Sequence, residues 1–120
     1  MILEIPRAPV SPNDLLGYHW RYRMKNTALW RQEIHYALHA QRYNGLPLPK
    51  AKISIERRGK GTLDPDNLVG SVKPILDALR YAQVIEDDTP AHIQLTVTQV
   101  CSRSLPARTR IEITPDWETA

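Results

Sequence analysis

The sequence holds a single cysteine, Cys101, which excludes an intramolecular disulfide and any zinc site built on several cysteines. A cysteine alone in an alternating strand segment is expected to serve as a small apolar side chain. No apolar run approaches the roughly 18 to 20 residues of a membrane span, and the N-terminus lacks the basic-then-apolar order of a signal peptide, so the cytoplasm is the expected compartment. Internal repeats and low-complexity tracts are absent. Neither Cys101 nor any serine stands in a pattern with a base and an orienting partner, which argues against nucleophilic catalysis. Gly59 and Gly61 are too few for a phosphate-binding loop, and a mobile strand-to-helix connection explains them better. With 120 residues, 42% of them hydrophobic and 24% charged, the chain has the size and composition of one domain, residues 1–120, around a single modest core.

What the sequence does have is an uneven distribution of charge. Residues 1–63 carry 11 Lys or Arg against 4 Asp or Glu, a net of +7, and residues 64–120 carry 5 against 9, a net of −4, which together give the formal +3. Two solvated faces account for such a split as well as a binding surface does. The placement of the charges favours a polyanionic partner. Arg21, Arg23 and Lys25 alternate with Trp20, Tyr22 and Met24, while Arg57, Arg58 and Lys60 lead into an acidic segment. Basic residues neutralise phosphates, and neighbouring aromatics offer faces for stacking bases.

Local periodicity supplies the elements. Residues 2–5 read as a short strand closed by Pro6, and residues 7–26, with Pro9, Pro12 and Gly17, as a long loop. Thr27 is expected to cap a helix over 27–43 that stops at Asn44-Gly45. A half-buried strand follows over 51–57, where Ile53 and Ile55 alternate with polar residues. Asp64 as N-cap and Pro65 at the first helical position open a second helix reaching Tyr81. Strands over 92–100 and 109–114, joined by a basic, proline-containing hairpin loop over 102–108, complete the order β-α-β-α-β-β. That order predicts an α+β domain with two helices packed on one mixed sheet.

The chemistry concentrates in Asp64, Asp66, Asp77, Glu86, Asp87 and Asp88, six acids within 25 residues. Carboxylates beside a phosphate-binding surface repel the substrate unless a cation lies between them. Magnesium suits that position, because it takes oxygen ligands, usually one or two carboxylates completed by water and phosphate. Helix capping by Asp64 and turn formation by Asp87-Asp88-Thr89-Pro90 account for the same residues without a metal. His35 and His39 have the spacing of a two-histidine site, but no third ligand is evident, so a zinc site is not expected. Trp20 and Trp30 serve either as base-stacking faces or as core, with core favoured for Trp30 on its helix.

The string Asp64-Pro65-Asp66-Asn67-Leu68, followed by Lys73, Asp77-Ala78-Leu79 and Val84-Ile85-Glu86-Asp87-Asp88, resembles the signature of the RusA family of Holliday junction resolvases. The Ser11-Pro12-Asn13 segment is similar to the family's N-terminal region, and the likeness runs in order from the first strand to the last hairpin. The resemblance implies a homodimeric crossover junction endodeoxyribonuclease of phage or prophage origin, which nicks two opposed strands of a four-way junction with magnesium (Mg2+) in DNA recombination and repair. By motif position it places metal ligands at Asp64, Asp66 and Asp88, with Asp87 as the fallback for the third, and a catalytic lysine at Lys73. Arg21, Arg23, Lys25, Arg57, Arg58 and Lys60 are the expected DNA contacts.

The chain departs from the family at one place. Three additional residues separate Asn67 from Lys73, so counting from the aspartates puts Gly70 where the lysine would stand. Pro74 lacks the N–H that would bond to the Gly70 carbonyl, which predicts a kinked or interrupted helix that absorbs the extra residues and brings the Lys73 ammonium to the metal-proximal phosphate. The alternative to a nuclease is a non-catalytic branched-DNA-binding protein, a decayed nuclease or a regulator. A restriction-type nuclease using Pro65-Asp66 would need a following acid-x-Lys element, and Glu86-Asp87-Asp88 has no such lysine.

Overall fold

The computed structural model describes residues 1–11 and 20–116. Its elements are β1 (Ile2–Ile5), α1 (Trp20–Ala40), β2 (Ala51–Gly59), α2 (Pro65–Ser71), α3 (Lys73–Tyr81), β3 (Ile93–Cys101) and β4 (Arg108–Pro115). The strands form one mixed sheet in the order β1-β4-β2-β3, with β3 parallel to β2 and both other pairings antiparallel. The parallel pair demands a crossover, which α2 and α3 supply. Alternation along β2 sends Ala51, Ile53 and Ile55 to the core, where they meet Leu3, Ile5, Ile111 and Ile113 of neighbouring strands and Trp30, Ile34, Ile75 and Leu79 of the helices. Trp30 is 1% exposed and therefore a core residue. The expected α+β domain with a mixed sheet is the observed one, with the second helix divided in two and the expected 102–108 hairpin replaced by a crossing, because β2 lies between β3 and β4.

Helix α1 starts at Trp20, seven residues before the expected Thr27 cap. Arg21 to Lys25 are all exposed, so this part of the helix shows no apolar stripe that periodicity could detect. The Thr27 hydroxyl donates to the Arg23 carbonyl at 3.2 Å, a bond back to the preceding turn and not a cap. The helix also stops earlier than Asn44-Gly45. Arg42 takes a left-handed conformation (φ 54°), its N–H bonds to His39 O at 3.0 Å, and Tyr43 N bonds to Leu38 O at 3.0 Å. This is a Schellman closure with arginine where glycine is usual. Gln83 (φ 62°) closes α3 in the same way, with Gln83 N on Arg80 O at 3.0 Å and Val84 N on Leu79 O at 2.9 Å. The residue after each left-handed position, Tyr43 or Val84, turns into the core.

Between α2 and α3 the chain breaks at Val72 (φ −91°, ψ −2°), whose N–H bonds to carbonyls of Val69 and Gly70. Pro74 stands at the second position of α3 and contributes no donor to the preceding turn. The interruption falls between Gly70 and Pro74, as their chemistry predicts. Among the described residues, no helix is long and apolar enough to cross a membrane.

Candidate functional site

The acidic motif is held in place by the end of the sheet that carries Gly59. There Thr109, Arg57 and Gln99 lie side by side on β4, β2 and β3, in the alternation phase that elsewhere faces the core. Each is polar, and each bonds a loop. The Thr109 hydroxyl donates to Arg7 O at 2.6 Å. Arg57 donates from Nε to Pro9 O at 3.1 Å and from Nη1 to Gly61 O at 2.9 Å. Gln99 grips Leu63 twice, accepting from its N–H at 2.9 Å and donating to its carbonyl at 2.7 Å. The residue after Leu63 is Asp64, so this polar row fixes where the motif begins. Burial holds the Arg57 guanidinium below its ordinary pKa. Arg57 is 9% exposed, which makes it a tether for two loops and not the phosphate contact expected from sequence. Arg58 and Lys60 turn outward, and Arg58 Nε donates to Pro106 O at 2.9 Å.

Asp64 caps α2. Its Oδ1 accepts from Asn67 N at 2.9 Å and its Oδ2 from Asn67 Nδ2 at 2.8 Å. Those bonds hold its carboxyl below the usual carboxylate range, so it is ionised and still exposed, with lone pairs to spare. Asp66, two residues on in the first turn, is also exposed.

The break at Val72 sets Lys73 at the start of α3, and from there its Nζ reaches Asp88 Oδ2 at 2.5 Å and Asp77 Oδ1 at 3.3 Å. The hydrogen bond from Lys73 lowers the Asp88 pKa, and the same bond raises that of Lys73. Lys73 meets Asp88 and not Asp87, whose Oδ1 accepts the backbone N–H of Asp88 at 2.8 Å.

The acids do not converge. Among the described residues, no three Asp, Glu, His or Cys side chains are grouped closely enough to hold one metal ion. The crossover explains this. It leaves β2 at Gly59 and enters β3 at Ile93, which pairs with Ala51, so the two acidic groups join the sheet at ends about 26 Å apart along the strands. Chemically, Asp64 and Asp66 suit a dication that takes one or two carboxylates and fills its shell with phosphate and water.

No family model matches the chain, and no curated protein matches it. The site therefore has to be read from its own geometry. Arg21, Arg23 and Lys25 are exposed on the first turns of α1, beside Tyr22 and Met24. Segment 12–19 and the Trp20 side chain lie outside the described residues, so the Pro12-Asn13 likeness and Trp20 stacking are not placed. His35 and His39 are exposed, with ring centroids 6.3 Å apart. Cys101 is the last residue of β3, exposed, with its Sγ donating to Lys60 O at 3.2 Å. Sequence reasoning passed over Gln99 and Thr109, although a polar residue in the apolar phase of a strand was the available signal.

Proposed function

We propose that the chain is a magnesium-dependent, structure-selective endonuclease of the RusA type, a phosphodiester hydrolase that acts as a homodimer and resolves four-way DNA junctions by paired nicks. The observation that carries this reading is the Lys73–Asp88 pair. Two residues singled out by motif position, 15 apart in sequence, meet at 2.5 Å beyond the break at Val72. Asp64 and Asp66 would hold the ion at the start of α2, with water and phosphate completing its shell in place of Asp88, which stands apart from them and pairs with Lys73. Bound there, magnesium would lower the pKa of a water and offset charge on the leaving oxygen. Lys73, an ammonium held between Asp77 and Asp88, is placed to trade those carboxylates for a substrate phosphate. Exposed Arg21, Arg23, Lys25 and Lys60, with half-buried Arg58, supply positive charge for the phosphate backbone. A two-fold dimer fits paired cuts because it presents two identical sites.

The separation of the acids favours a second reading, a branched-DNA-binding protein without catalysis. Incubating the protein with a synthetic four-way junction in magnesium, and in parallel with calcium or chelator, decides between the two. Symmetrical nicks that require magnesium support the nuclease. Tight binding with no nick at any magnesium concentration establishes the second reading.

A further inference from the structure

The Gly59 end of the sheet carries one element that the proposed cleavage leaves unused. Strands β3 and β4 are not neighbours, because β2 lies between them, so residues 102–107 must cross over the end of β2. The crossing is pinned at three points. Ser102 N bonds to Gly59 O at 2.8 Å, Leu105 N to the Ser102 hydroxyl at 3.0 Å, and Arg58 Nε to Pro106 O at 2.9 Å. Between the last two pins Leu105 stands 54% exposed, flanked in sequence by exposed Arg103 and in space by Arg58. Lys60 lies alongside, its carbonyl bonded to Cys101 Sγ at 3.2 Å. Glu4 and Glu56 are both drawn to Arg108, at 3.9 and 3.3 Å, so Arg58, Lys60 and Arg103 leave this end with excess positive charge.

An exposed leucine on a loose loop would carry no argument. Here the backbone on both sides is hydrogen-bonded, and the surroundings are cationic. A protein partner would call for a wide contiguous apolar patch, whereas Leu105, with Val100 and the adjoining Pro106 and Ala107 exposed around Arg58, is a small apolar tip among cations, which matches the way side chains such as leucine wedge between base steps while neighbouring cations take the phosphates. Bases at a branch point have incomplete stacks, so insertion there disrupts less than in continuous duplex. The same end of the sheet fixes Leu63 and hence Asp64, which puts this element and the acidic motif on one support.

We propose that the 102–107 crossing is a contact element for branched duplex DNA, with Leu105 entering between unstacked bases at the branch point and Arg58, Lys60 and Arg103 holding the flanking phosphates. The inference rests on the nuclease reading only in taking DNA as the partner. It is tested in calcium, without cleavage, using the full chain and a four-way junction that carries 2-aminopurine beside the branch point. Wild type should raise the fluorescence on binding and give no such rise on linear duplex. Leu105→Ser should lose most of the rise while Leu105→Met keeps it, and Lys60→Ala with Arg103→Ala should lower the logarithmic salt slope of binding by about two. A Leu105→Ser protein with the full rise, an equal rise on linear duplex, or an unchanged slope in the double variant overturns the proposal. If wild type nicks junctions in magnesium and any of these results is found, only this inference falls. A wild type that binds neither junction nor duplex sinks the nuclease reading as well.

Discussion

Replacing Lys73 by methionine keeps most of the side chain's unbranched length and removes its charge. Its partners are Asp88 at 2.5 Å and Asp77 at 3.3 Å, with the Lys73 side chain 62% exposed and that of Asp88 11% exposed. Solvent around the ammonium screens both pairs, so the expected loss of folding stability is about 1 kcal/mol at neutral pH. The sign with pH follows from the two shifts. Asp88 is depressed from 3.8, so its contribution is complete above that value and is lost as pH falls through the lower folded pKa. Lys73 is raised from 10.5, so its contribution is complete below that value and is lost as pH rises through the higher folded pKa. Wild-type stability from this pair is therefore flat between those limits, and Lys73→Met should remove part of the decline on the acid side. Cleavage should fall far more than stability does. An ammonium that offsets charge at the reacting phosphate is worth about 10²- to 10³-fold, as for other preorganised donors. Urea unfolding at pH 7 and pH 3.5 reads the first effect, and single-turnover nicking of a four-way junction in magnesium reads the second. If the variant cleaves at the wild-type rate, Lys73 is a surface residue, and Lys60 or Arg58 becomes the candidate. A stability loss of several kcal/mol with normal binding would instead make the pair a structural clamp.

Asp66→Asn removes a charge from an exposed, nearly isosteric side chain; nicking should be lost while junction binding is kept or strengthened, and equal nicking in magnesium would refute the ligand role. Changing Arg21, Arg23 and Lys25 together to alanine should weaken binding across DNA sequences and lower the logarithmic salt slope by about two to three, as measured by titration over a range of salt. Arg57→Met leaves the carbonyls of Pro9 and Gly61 without their donor and should cost about 2 to 4 kcal/mol in urea unfolding, with nicking reduced beyond what the folded fraction explains. Ile55→Ala, at a fully buried position of β2, should cost about 2 to 5 kcal/mol with no change in salt slope.

The strands were legible because each alternates over a half-buried surface, and α2 because Asp64 and Pro65 are strong opening signals. Both ends of α1 escaped for different reasons. Its first turns carry no apolar stripe, since Arg21 to Lys25 are all exposed. Its last turn closes on Arg42, and α3 closes on Gln83, so the glycine that ordinarily marks a Schellman end was never in the sequence to be read. The break between α2 and α3 could be anticipated because Gly70 and Pro74 act through local backbone chemistry. Which strand neighbours which is settled by packing across the whole sheet, and so is the attachment of the two acidic groups at opposite ends of β2 and β3.

The row Thr109, Arg57 and Gln99 places polar side chains where the strand pattern calls for apolar ones. In β2 the phase that buries Ile53 and Ile55 also buries Arg57, and in β3 the phase of Ile93, Leu95 and Val97 holds Gln99. Apolar residues at those positions would avoid the desolvation that depresses the Arg57 pKa, so stability alone gives little reason for three polar side chains abreast. What they secure is position. Two loops, one at Arg7 to Pro9 and one held at both Gly61 and Leu63, are fixed relative to each other by bonds of 2.6 to 3.1 Å. The second of these loops carries exposed Lys60 and ends at Asp64. On the function proposed above, buried polar groups that register an acidic motif against a basic turn would serve a ligand that both touch, a phosphodiester with its counter-ion.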